Sequence, residues 1–159
     1  MNTTAAFISK VRNRILFRLY MLIKLPAAYF SGLQVVAIDE EQCIVSVPFK
    51  WFSQNPFRST YFACLAMAAE MSTGLLALAQ IYQRKPQVSM LVVKLEATYH
   101  KKATAVTYFT CKAGAEMKAA IEKSIATGDA QTVIALAEGL DATGNAIASF
   151  QITWSFKKK

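Results

Sequence analysis

Between Ser59 and Gln83 the chain reads STYFACLAMAAEMSTGLLALAQIYQ, and the only formal charge in that run is Glu70, close to its middle. A proline-free segment of this length, rich in Ala, Leu and Met, is predicted to be a helix. So apolar a helix belongs inside the domain. An ionised carboxylate there is costly to desolvate, so Glu70 must be paired, protonated or used in chemistry. Ser59 or Asn55 is placed to cap the start, and Arg84, Lys85 and Pro86 suit the end, where cations meet the helix dipole. Gly74 marks either a weak point or a close approach by another chain segment.

On either side of this helix the pattern changes to strands. Leu33–Ile38 and Cys43–Phe49 flank the acidic turn Asp39-Glu40-Glu41, and Cys43, Val45 and Val47 alternate with Ile44 and Ser46. After Pro86, Val88–Tyr99 is long and rich in β-branched residues, and Ala105–Lys112 reads as a further strand. Gly114 and Gly128 bracket a short helical segment, Ala115–Ala126, with Glu116, Lys118, Glu122 and Lys123 expected in solvent. Two strands follow, Thr132–Glu138 and Asn145–Phe156, joined by Asp141-Ala142-Thr143-Gly144. In the last strand Ala146, Ala148, Phe150, Ile152, Trp154 and Phe156 alternate with a set whose only apolar member is Ile147, so one face is buried and one wet. Antiparallel strands around a single buried helix imply an α+β domain with a wrapping sheet.

Ahead of this domain, Phe7–Phe30 reads as one amphipathic helix. Ile8, Val11, Ile15, Leu19 and Leu22 share a face, Lys10, Arg14 and Arg18 lie on another, and Arg12 sits near the apolar edge. Pro26 should end or kink it. Two settings produce this pattern, a helix packed on its own domain with a solvated basic face and a helix lying on a membrane surface. Arg18, Lys24 and Pro26 argue against a transmembrane span.

The 159 residues suffice for one domain with a substantial core. Hydrophobic residues make up 54% and charged ones 18%, an excess that points to apolar surface buried between subunits, in a ligand channel or against lipid. The formal net charge is +8, and Lys10, Arg12, Arg14, Arg18 and Lys24 all precede the first acid, Asp39. Such a balance favours anionic partners. Cys43, Cys64 and Cys111 lack C-x-x-C spacing and are expected as buried free thiols in a reducing compartment. Arg18 and Lys24 also interrupt what would be the apolar region of a signal peptide, so a cytoplasmic location is expected.

Several chemistries find no support. His100 is the only histidine, so neither a zinc site nor any other metal site is expected. A Ser–His–Asp triad would depend wholly on His100, which reads as a surface residue at a strand end. No glycine-rich phosphate loop occurs, and no cofactor is expected. Nucleic acid is set aside because no aromatic stacking platform interleaves with the basic residues.

What remains is the run N55-P-F-R-S-T-Y-F-A-C-L-A-M-A-A-E70. It resembles the signature of hotdog-fold thioesterases related to the phenylacetyl-CoA hydrolases, in which an Asn opens a loop, His-Gly-Gly starts the central helix, and an Asp or Glu follows on it. The spacing from Asn55 to Glu70 fits that pattern, and Tyr61-Phe62-Ala63 falls on the His-Gly-Gly positions. The closest resemblance is to an uncharacterised thioesterase-like branch, with residues 33–159 as the hotdog domain and residues 1–32 as a helical extension. It implies a homodimer, with a tetramer as the next assembly, whose helix start and acid come from different subunits. It also implies an acyl-CoA or acyl-carrier thioester as substrate. In those terms Glu70 activates water or attacks the carbonyl, the backbone N–H of Phe62 stabilises the oxyanion, and Asn55 orients the water or carbonyl. Tyr61 and Ala63 shape the substrate pocket, and Arg58, Arg84, Lys85, Lys101 and Lys102 are candidates for the substrate's phosphates. Other readings stand beside this one. The replaced His-Gly-Gly residues suit a non-catalytic acyl- or lipid-binding protein, and the basic N-terminal helix with Lys157–Lys159 suits peripheral membrane contact. Without a role in catalysis, Glu70 would be a structural acid bonded to Asn55 or a backbone amide, and Asn55 a turn or cap residue.

Overall fold

The structure, a computed structural model, describes residues 3–159; the first two residues of the expected extension lie outside the described residues. Three helices lead the chain, α1 (Thr3–Arg12), α2 (Arg14–Lys24) and α3 (Pro26–Phe30). Then come β1 (Gln34–Ile38), β2 (Cys43–Val47), a 3-10 turn at Trp51–Ser53 and the long helix α4 (Phe62–Ile81). The remainder is β3 (Val88–Tyr99), β4 (Thr107–Cys111), α5 (Gly114–Thr127), β5 (Gln131–Asp141) and β6 (Ala146–Lys158).

The single helix expected over Phe7–Phe30 is instead three, and the break changes what is buried. The Asn13 side chain accepts a hydrogen bond from Leu16 N at 3.1 Å, capping α2 and restarting the helix in a new phase. Ile8 and Val11 are buried as expected, but α2 turns Phe17 and Met21 inward. Ile15, Leu19 and Leu22, expected on the packed face, point to solvent. Pro26 stands at the first position of α3, where its missing N–H costs nothing. Arg12 Nε donates to Ile38 O at 2.9 Å and ties this segment to β1.

The six strands form one antiparallel sheet in the order β1-β2-β4-β5-β6-β3. It wraps α4, whose buried residues face β2, β4, β5 and β6, while α1 and α5 cover other sides. Apolar residues run right round α4, and most of it is buried, save a stripe through Phe62, Glu70 and Leu78 that stays exposed. Among the described residues α4 is the one helix long and apolar enough to cross a membrane, and the sheet encloses most of it. On α5, Glu116, Lys118, Glu122 and Lys123 are all exposed, while Met117 and Ile121 are buried.

In β6 the alternation holds from Ala148 to Phe156, with Phe150, Ile152, Trp154 and Phe156 inward. Ile147, the odd apolar residue, sits where the β5–β6 register slips between Gly139 and Leu140, and there it is buried. A bulge adds one residue and reverses which side faces in. That puts Ile147 in the core and Ala146 in solvent. Gly139 lies against the Phe109 ring, where a Cβ would stand 2.5 Å from Phe109 Cε1. The close approach lets Phe109 meet Phe150 edge-on at 5.5 Å in the centre of the core.

At the sheet's end β3 pairs only with β6, from Val88↔Lys158 to Tyr99↔Ala148. Its other edge has no partner strand among the described residues, and Leu91, Val93 and Leu95 are exposed along it. A long, apolar, unpaired edge is a template for pairing with another chain.

Candidate active site

The loop ahead of α4 is built by one side chain. Asn55 Oδ1 accepts from Phe57 N at 2.9 Å, Ser59 N at 3.3 Å and Ser59 Oγ at 3.2 Å, an Asx-type turn. Asn55 N donates to Ser59 O and Arg58 N to Asn55 O, closing the loop and holding Arg58 at φ +59° on its tip. Asn55 therefore shapes the turn, and its Nδ2 finds no acceptor among the described residues.

Neither Ser59 nor Asn55 caps α4. The cap position is Tyr61, whose side chain makes no capping bond. Tyr61 N donates to Ser53 O and Thr60 N to Ala103 O, which pins the chain just before the helix. The N–H groups of Phe62 and Ala63 have no acceptor among the described residues. A helix start with unspent donors carries partial positive charge and attracts an anion or a polarised carbonyl oxygen. It opens into a cleft of about 570 Å³ lined by Asn55, Tyr61, Phe62, His100, Lys101 and Lys102 among others. The Tyr61 and Phe62 rings, 4.9 Å apart, line it and are exposed. His100 Nε2 lies 3.2 Å from Ser149 Oγ, and among the described residues no carboxylate joins them to complete a triad.

Glu70 lies in a different cleft, of about 410 Å³, between α4 and the α2–α3 corner. Tyr20, Lys24, Leu25, Met67, Met71 and Trp154 are among its walls. Glu70 Oε1 is 3.2 Å from the point a Cβ on Gly74 would occupy, and the Trp154 ring is 3.3 Å from that same point. Of the two expectations for Gly74, a weak point in the helix or a close approach by another backbone, the second is not met: the atoms nearest to it are those of side chains. Trp154 is held by its Nε1 donating to Thr73 Oγ1 at 2.9 Å, and Thr73 Oγ1 donates in turn to Glu70 O at 2.9 Å.

The Glu70 carboxylate itself accepts no hydrogen bond and forms no ion pair among the described residues. One side of it is open to solvent in the single chain. The protein around it nevertheless desolvates the group and pushes its carboxyl above the ordinary carboxylate range. The alternative of a structural acid bonded to Asn55 is not what the structure holds, since the two residues line separate clefts.

Eight residues separate Phe62 from Glu70, about 12 Å along the helix. A single protomer therefore does not bring the N–H donors and the acid to one reacting atom. Tyr61 and Phe62 share the first cleft, with Ala63 half-buried at its helix start, and Arg58 is exposed on the adjoining loop. Arg84 and Lys85 stand at the opposite end of α4, about 30 Å from Phe62 by helix length. There they line a shallow cleft with Glu40 and Lys118, and Arg84 pairs with Glu122 at 2.5 Å. Sequence reasoning missed Tyr20, Lys24, Thr73 and Trp154 as neighbours of Glu70. Trp154 carried a signal, since it falls on the buried face of β6. Lys24 carried none, because its place depends on the turn at Leu25–Pro26.

A profile for a domain of unknown function, DUF4442, matches residues 13–156. Among functionally curated proteins there is no significant match. Among solved structures, a protein of unknown function from Pseudomonas aeruginosa, described as a probable thioesterase, superposes with a TM-score of 0.77 at 15% identity, covering 90% of this chain and 95% of its own. The PaaI protein of the Escherichia coli phenylacetic acid degradation operon gives 0.63 at 12% identity, with 96% of both chains covered. A thioesterase from Haemophilus influenzae gives 0.63 at 13% identity and 88% coverage of both. These likenesses establish the hotdog fold, the α+β arrangement in which an antiparallel sheet wraps a central helix.

Proposed function

The chain belongs to the DUF4442 family, and on that premise we propose that it hydrolyses an acyl thioester, presented by coenzyme A or an acyl carrier, at a site completed by a second copy of itself. The observation that carries this reading is Glu70, an acid in a largely apolar cleft whose carboxylate has no hydrogen-bond or ion-pair partner among the described residues and whose carboxyl is shifted upward by burial. A carboxylate whose affinity for a proton is raised toward the working pH is suited to take one from water. The unspent N–H groups of Phe62 and Ala63 supply the other half, donors for an oxyanion at the positive end of a helix.

Two half-sites about 12 Å apart on one helix call for a partner that lays its own α4 alongside in the opposite sense. The free edge of β3, with Leu91, Val93 and Leu95 exposed, suits such pairing. In the dimer, Glu70 of one protomer removes a proton from water as its oxygen bonds to the thioester carbon. The carbonyl oxygen gains negative charge against the helix start of the other protomer. Collapse of that intermediate breaks the C–S bond, and the thiolate takes the proton back. Asn55 holds the loop and keeps Nδ2 available to the carbonyl or the water. Lys101 and Lys102, beside the same cleft, are the better placed cations for substrate phosphates. A cytoplasmic setting is in keeping with three free, buried cysteines.

A second reading has its own observation. Tyr61 and Phe62 place bulky rings where the thioesterase pattern has His-Gly, and those exposed rings line the cleft. A protein that binds an acyl chain without cleaving it would show this feature. Hydrolysis of short, aromatic and long-chain acyl-CoA by wild type and Glu70→Gln separates the two. The expected result is turnover by wild type and a loss of about two to four powers of ten in the folded variant. Full activity in Glu70→Gln removes the acid from the mechanism, and a flat panel for wild type moves the assignment to acyl binding.

A further inference from the structure

The exposed face of α2 is a feature that the site leaves unused. Ile15, Leu16, Leu19, Leu22 and Ile23 fall within an arc of about 120° on the helical wheel. All are exposed, Ile15 to 84% and Ile23 to 65%, and the arc lies away from the buried pair Phe17 and Met21. Arg14 and Arg18 border the arc on one side and Tyr20 and Lys24 on the other. From Arg18 the surface continues through aromatic rings. Its guanidinium lies 5.0 Å from the centre of the Tyr29 ring, Tyr29 meets Phe30, Phe30 meets Phe52 at 6.1 Å, and Phe52 meets Trp51. Trp51 is 83% exposed, and Lys50 precedes it.

We propose that this face is a docking surface for an anionic lipid bilayer, with α2 lying in the plane of the headgroups and Trp51, Phe52 and Phe30 anchoring beside it. A bilayer supplies what each part requires: hydrocarbon for the apolar arc, phosphates for the flanking cations, and an interface for exposed aromatic rings. Charge decides against a second copy as the occupant. No acid precedes Asp39, so every charged side chain of the helical segment is cationic, and a second copy seated face to face on α2 would bring Arg14, Arg18 and Lys24 against their like around the apolar contact. The helix end supports the orientation: α2 finishes on Lys24, a long side chain able to reach headgroups from the helix edge. This inference does not rest on the thioesterase reading.

The test is co-sedimentation of the full chain with vesicles of phosphatidylcholine alone or mixed with phosphatidylglycerol, beside the double variant Ile15→Asp/Ile23→Asp. Both positions are exposed, so the variant keeps the fold, which circular dichroism verifies. Wild type should pellet with the anionic vesicles, less so as salt is raised, and the variant should bind at least about tenfold more weakly. Fluorescence gives a second readout, because Trp154 is buried and Trp51 is not. Anionic vesicles should shift the emission to the blue in wild type and leave it unshifted in Trp51→Phe. Wild type left in the supernatant overturns the proposal. So does equal binding by wild type and the double variant, which would show charge attraction without insertion. A variant that changes the oligomeric mass while wild type ignores vesicles would assign the face to a subunit contact and likewise refute it.

Discussion

Thr73→Val isolates the bond that seats Trp154 under the acid. Thr73 is fully buried, Trp154 is 4% exposed, and the indole N–H reaches Thr73 Oγ1 at 2.9 Å. Valine keeps the shape of threonine and removes the acceptor. Glu70 O loses its bond from the hydroxyl but keeps the ordinary helical N–H four residues on. The main cost is a buried indole donor without a partner, about 1–3 kcal/mol. The added methyl returns at most about 0.8 kcal/mol. From the middle of that range the net loss is about 1 kcal/mol, which for a chain of this length lowers Tm by roughly 2–4 °C at fixed protein concentration. Thermal unfolding followed by circular dichroism measures it, and the near-ultraviolet signal reports whether Trp154 keeps its place. The same substitution made in Trp154→Phe has no donor to orphan and should cost at least about 1 kcal/mol less. Equal losses in the two backgrounds, or a wild-type Tm in Thr73→Val, would refute the reasoning.

The other expectations are simpler. Burial raises the folded Glu70 carboxyl above 4.5, so between that value and the raised one the native chain binds more protons than the unfolded chain. Stability is then lost as pH rises through this window, and the penalty is fully present above it and absent below 4.5. Glu70→Gln should therefore melt higher than wild type at neutral pH, with the gap closing in acid. Melting curves across pH check this, and a pH-independent gap contradicts it. Gly114→Ala should destabilise by about 1–3 kcal/mol or more despite alanine's better helix propensity. A Cβ there would stand 2.1 Å from Glu40 O and 2.7 Å from Glu41 Cα, backbone atoms of the β1–β2 turn that cannot step aside. An unchanged urea midpoint would show that α5 can shift away freely.

Much of the architecture could be read from residue pattern, because the deciding signals were local. A long apolar run with one charge has only one place to go in a domain of this size, and α4 occupies it. Val88–Tyr99 is strand over that same span, and β6 alternates as read, since a period of two sends neighbours to opposite faces whatever surrounds them. Even Ile147, which broke the alternation, marked the bulge. The candidate site was legible only in part. Asn55, Tyr61 and Phe62 are close in sequence and so are close in space. Arg84 follows the same helix but emerges at its far end, a matter of 1.5 Å per residue.

What the sequence determined by itself is therefore the run of strands, the buried helix among them and the place of its one acid. The structure decided three further things that the residue pattern left open. Asn13 restarts the N-terminal helix, and packing of Phe17 and Met21 then turns Ile15, Leu19 and Leu22 to solvent. Gly74 and Trp154, eighty residues apart in the chain, make the seat in which Glu70 is desolvated without a partner. The rigid rise of α4 separates that acid from the helix start, because a helix cannot bend two turns back on itself to close a site.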